Sequence, residues 1–63
     1  MKEKLQANYD AIANLVEETR NDFDKFMNGN KSAGTRVRKA MMELKKLAQA
    51  VREGVQEIKN SEQ

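Results

Sequence analysis

Seven cations carry the clearest chemistry in this 63-residue sequence: Lys31, Arg36, Arg38, Lys39, Lys45, Lys46 and Arg52. Residues 31–46 hold six basic side chains against one acid, Glu43. Thr35-Arg36-Val37-Arg38-Lys39 precedes Lys45-Lys46 by about two helical turns, so a helix would place cations at intervals that can straddle phosphates. The free amides of a nearby helix start would add to anion affinity. The competing reading is a solvated helix face whose charges pair with acids.

Other chemistry has little to work with. The chain has no His and no Cys, and its side-chain hydroxyls are Tyr9, Thr19, Ser32, Thr35 and Ser61. No nucleophile has a general base at a defined spacing, so an enzyme is not expected. Glu3, Asp10, Glu17 and Asp24 form an acidic stripe, but a metal site in a bundle needs inward-facing ligands, and these are expected to face outward. Gly29 to Gly34 lacks a following Lys-Ser/Thr and a preceding strand, so it is not a phosphate-binding loop of the nucleotide-binding kind. No cofactor, metal or small-molecule substrate is expected.

The elements that hold the cations follow from periodicity. Apolar positions 5, 9, 12, 16, 19, 23 and 26 alternate steps of four and three, the 3.5-residue mean of packed helices, with Thr19 the one polar member and Leu15 and Met27 widening the stripe. Asn28-Gly29-Asn30 breaks the pattern: Gly29 suits a helix C-terminus, and Asn30 or Ser32 suits the next N-cap. A second apolar face then comprises Val37, Ala40, Met41, Leu44, Leu47, Ala48, Val51, Val55 and Ile58, while Met42 falls on an exposed phase. Tyr9, Phe23 and Phe26 read as core or interface residues. Gly54 weakens the second helix or permits close approach, and Asn60-Ser61-Glu62-Gln63 is expected to fray.

The two halves are also matched in reverse. Acidic positions 3, 10, 17 and 24 pair with basic positions 59, 52, 45 and 38, each pair adding to 62. Apolar pairs Leu5–Ile58, Ile12–Val51, Thr19–Leu44 and Phe26–Val37 add to 63, and Tyr9–Val55, Val16–Ala48 and Phe23–Met41 to 64. Constant sums are the mark of antiparallel helices. A single continuous helix is the alternative, because Asn30, Ala33 and Val37 keep approximate phase with Phe26, but the turn residues and the pairing oppose it. The expectation is all-α: one hairpin over 1–63, with helix 1 about 3–28, the turn 28–32 and helix 2 about 32–60. The charge stripes are expected to set orientation more than to close as direct pairs.

Size completes the picture. A chain this short buries only about 60% of its unfolded surface, and it has no disulfide or zinc to compensate. Self-association into a helical bundle is expected, a four-helix dimer or higher, giving a homo-oligomer (dimer or tetramer). No apolar run approaches the roughly 18 residues a membrane span requires, and the start leads into no signal-peptide core, so a cytoplasmic location without membrane partners is expected. Net charge is unevenly spread: residues 1–29 carry four cations and six acids, residues 30–63 eight cations and four acids.

Residues 29–59, GNKSAGTRVRKAMMELKKLAQAVREGVQEIK, resemble the conserved region of the chlamydial linker-histone-like proteins and their bacterial relatives. The matching positions are Gly29-Asn30-Lys31, Ala33, Arg36, Arg38, Leu44, Lys46 and Arg52. The resemblance implies a histone-like, nucleoid-associated protein that binds double-stranded DNA without sequence preference and compacts it. It also implies a Lys/Ala-rich tail, whereas this sequence closes on an acidic, polar end: either a short member or the folded domain without its tail. The alternative function is a helical oligomerisation or protein–protein interaction module without DNA binding, in which the charge stripes set register only.

Overall fold

The computed structural model describes residues 1–61. Helix α1 spans Lys2–Met27 and helix α2 spans Lys31–Ser61, and the two pack antiparallel as a hairpin 51 Å long and 14 × 12 Å in cross-section. Asn60 and Ser61, expected to fray, remain helical, and Ser61 Oγ donates to the Ile58 carbonyl at 3.1 Å. The expectation for Glu62 and Gln63 lies outside the described residues.

The reversal is built from backbone hydrogen bonds. Gly29 adopts φ +102°, a region that L side chains disfavour. Its N–H donates to the Phe26 carbonyl at 2.9 Å and the Asn30 N–H donates to the Lys25 carbonyl at 3.0 Å, the paired closure of a Schellman motif. Asn30 then starts α2: its Oδ1 accepts from the Ala33 N–H at 3.1 Å and from Ser32 Oγ at 2.9 Å. One three-residue segment therefore satisfies the end of one helix and the beginning of the next.

Packing is tightest beside this turn. Ala33 is wholly buried, the only buried apolar residue among those described. At Gly34 an added Cβ would lie 2.5 Å from Phe26 Cδ1, so the ring rests on the α2 backbone. At the far end Leu5 covers Gly54, whose Cβ would meet Leu5 Cδ1 at 2.9 Å. The small residue at 54 thus lets the helices approach.

The seam differs from the expected one. Leu5, Asn8, Ile12, Leu15, Thr19 and Asp22 of α1 are half-buried, against Gly34, Val37, Ala40, Leu44, Leu47, Val51, Gly54 and Ile58 of α2. Tyr9, Val16 and Phe23, expected to face inward, are 62%, 50% and 47% exposed, and Met41 and Val55 are 41% and 43% exposed. Ala48 is exposed as well. The reason is geometric. Each helix has one neighbour, which covers two of its heptad rows, so a third apolar row must lie outside. Thr19 is accommodated because its hydroxyl donates to the Val16 carbonyl at 3.0 Å, leaving its methyl for the seam.

Replacing Gly29 by Ala should cost about 1–2 kcal/mol, because the left-handed backbone would now carry a Cβ. Urea unfolding followed by circular dichroism at one protein concentration checks this: the midpoint should fall while the slope is unchanged.

Candidate functional site

Residues seven apart on a helix nearly overlay, so the cations of α2 sort into rows. Lys31, Arg38, Lys45, Arg52 and Lys59 form one row along its length, roughly 42 Å from end to end at the usual helical rise. Lys39 and Lys46 form a second row on the side turned away from α1. Arg36 stands apart on the opposite flank. Lys45, Lys46 and Arg52 surround a shallow open hollow with Met42, Ala48 and Gln49. Lys31 and Arg38 border another with Phe23, Phe26 and Val37. The structure thus places Lys45, Lys46 and Arg52 around one hollow and Lys31 and Arg38 at another, with Lys39 at neither and Arg36 engaged across the seam.

Arg36 is also the one that is engaged. Its Nε donates to Asp22 Oδ1 at 3.0 Å, linking the helices, with the Asp22 side chain only 25% exposed. Among the described residues none of the other six has an ion-pair partner. Asp22 was missed in the sequence because it lies off the acidic stripe. Its signal was its spacing: positions 8, 15 and 22 share a heptad row, and that row forms the seam.

None of the four stripe pairs (3 with 59, 10 with 52, 17 with 45, 24 with 38) closes within the hairpin among the described residues. Three of the four acids, Glu3, Asp10 and Asp24, find local donors instead. Glu3 Oε2 accepts from the N-terminal ammonium at 3.2 Å, Asp10 Oδ1 from Gln6 at 3.0 Å, and Asp24 pairs with Arg20 Nε at 3.3 Å. The Glu3 carboxyl is held below its ordinary pKa, first by its own backbone N–H and then by the ammonium. The acidic row points almost directly away from α2, while the basic row is turned only part of the way round. Long side chains cannot bridge that angle inside one hairpin.

The remaining polar groups narrow the chemistry. The Ala33 amide is taken by Asn30 and buried, so it does not serve an external anion at the α2 start. Gln49 donates to Glu53 at 3.0 Å and Gln56 to Asn60 at 3.2 Å, so the amides nearest the basic rows are occupied along the helix. Among the described residues no cluster of three or more His, Cys, Asp or Glu is placed to hold a metal ion. No helix is long and apolar enough to cross a membrane. What this surface offers is cationic contact with an extended polyanion.

Comparison with known proteins agrees in kind. The family model described as histone H1-like protein Hc1 matches residues 6–61, extending the likeness through most of α1. No curated protein and no solved structure gives a significant match.

The Asp22–Arg36 pair is half open to water, so a double-mutant cycle with Asp22→Ala and Arg36→Ala should give a coupling below about 1 kcal/mol. Urea unfolding of the four species measures it. A coupling well above that would mark the pair as a determinant of hairpin register.

Proposed function

We propose, from the premise that this chain belongs to the histone H1-like Hc1 family, that it binds double-stranded DNA through the phosphate backbone and helps compact the nucleoid. The observation that carries this reading is a set of cations on α2, Lys31, Arg38, Lys39, Lys45, Lys46 and Arg52, without ion-pair partners among the described residues and presented along one continuous helix. Arg36 joins them only by leaving Asp22. The protein acts as a binding protein rather than an enzyme, in the cytoplasm at the nucleoid, and self-associates as a dimer or higher oligomer. The single domain for this activity is the hairpin over 1–63.

The physics of such contact is counterion release. Each phosphate neutralised by Lys or Arg frees condensed cations, so affinity falls as salt rises. Positioning comes from phosphates, and sequence reading needs donors and acceptors aimed at base edges. With Gln49 and Gln56 bonded along their own helix, sequence preference should be slight.

An assembly module without DNA binding is the competing reading, supported by the exposed row Tyr9, Val16 and Phe23. Fluorescence anisotropy with random-sequence duplex separates the two. With about five phosphate contacts, the log–log salt slope should be near −4 to −5, a loss of about 500-fold between 50 and 200 mM salt. Lys39→Glu with Lys46→Glu should reduce the slope by about 2 while leaving helicity intact. No binding at 50 mM salt would leave assembly as the function of this chain.

A further inference from the structure

The hairpin has one apolar broad face and one charged broad face. Arg36 and Asp22 mark the charged one. On the other lie two parallel rows, Tyr9-Val16-Phe23 from α1 and Met41-Ala48-Val55 from α2, all exposed. Both rows turn the same way from the seam, and Tyr9 and Val55 border one hollow between the helices. The face is continuous along the molecule.

Its occupant is indicated by charge. Beyond the apolar face, the outer edge of α1 carries Asp10, Glu17 and Asp24, and the outer edge of α2 carries Arg38, Lys45 and Arg52. We infer that a second copy covers this face about a two-fold axis parallel to the helices, so that α1 of each copy packs on α2 of the other. That rotation keeps every residue at its own level along the bundle. At the hairpin's own register, with Leu5 over Gly54 and Phe26 over Gly34, Tyr9 then lies nearest in level to Ala48 of the other copy, with Val55 beyond it, and Val16 nearest to Met41, with Ala48 beyond it. The stripe pairs that cannot close inside one hairpin, 10 with 52, 17 with 45 and 24 with 38, now meet across the interface. An axis perpendicular to the helices would instead set α1 against α1 and α2 against α2, acid against acid and base against base.

The dimensions agree with a stable pair. A face 51 Å long and 14 Å wide gives about 700 Å² per copy, close to the roughly 800 Å² per partner of standard specific interfaces. Tyr9 enters the gap between Ala48 and Val55, and Val16 the gap between Met41 and Ala48, so the rows interdigitate.

This arrangement rests on the self-association named above and assigns its geometry, so the test is run without DNA. The sequence has no cysteine, so introduced thiols report alone. Sedimentation equilibrium of the unmodified protein should give a dimer whose dissociation constant rises with salt. Val16→Cys and Met41→Cys variants, each checked for helicity, should scarcely cross-link separately under mild oxidation. Mixed, they should form a disulfide-linked heterodimer, and Tyr9→Cys with Ala48→Cys should repeat the result independently. Efficient Val16→Cys self-linkage, or dimerisation strengthened by salt, would overturn the α1-on-α2 arrangement while leaving self-association and DNA binding standing. A monomer at all concentrations would overturn self-association too, with the DNA reading still decided by anisotropy.

Discussion

The close approach of the chain to itself at the reversal decides everything further along the hairpin. Phe26 can lie on the α2 backbone only because position 34 has no side chain, and the small Ala33 next to it in sequence is wholly buried. Gly29 and Asn30 bring these groups together with nearly every backbone group of the turn satisfied. Once this end is set, two rigid helices have no freedom left in register. Asp22 falls beside Arg36 on the next turn, and some 30 Å further Leu5 falls over Gly54. Two glycines at opposite ends of α2 thus mark the two places where the helices come nearest.

That register fixes what each helix must leave outside. A helix in a bundle buries three heptad rows, but in a lone hairpin only two find a neighbour. The third row of both helices ends on the same broad face. Burial is accordingly thin, with most seam residues half-buried. At about 25 cal/mol per Å² of apolar surface removed from water, a half-covered Leu or Ile gains about half of what a core residue gains. In a chain of this size without a disulfide, covering that face is what would give a fuller core.

Much of this was legible in the sequence, and the failures have physical causes. The antiparallel direction showed in constant position sums, although Leu5–Gly54, Phe26–Gly34 and Asp22–Arg36 add to 58–60 rather than 62–64, and the turn showed in Asn28-Gly29-Asn30, because cap and turn chemistry is local and residue-specific. Which rows face the seam was not legible. Ranking by size places Tyr9, Val16 and Phe23 inward, whereas the structure turns Asn8, Leu15 and Asp22 in. Periodicity identifies a broad apolar stripe but not which edge of it meets which neighbour, and the stripe here is wide enough to serve two. The exposure of the cations followed from phase alone. The capture of Arg36 did not, because Asp22 lies outside the acidic stripe and pairs through the seam.

The two uses of positive charge on α2 draw on the same cations, so the dimer offers each duplex fewer phosphate contacts than the lone hairpin does. If Arg38, Lys45 and Arg52 answer the acids of a second copy, Lys39 and Lys46 still point away from every helix of the four. Under a two-fold axis parallel to the helices, the two copies of α2 lie at diagonal corners of the bundle. Their outward rows therefore face opposite directions. Such a dimer cannot close both rows around one duplex, but it can touch two. A pair of weak, salt-sensitive sites facing apart converts modest contact into bridging, since holding one duplex raises the effective concentration of the next. Compaction then follows from the symmetry of the pair rather than from the strength of either site.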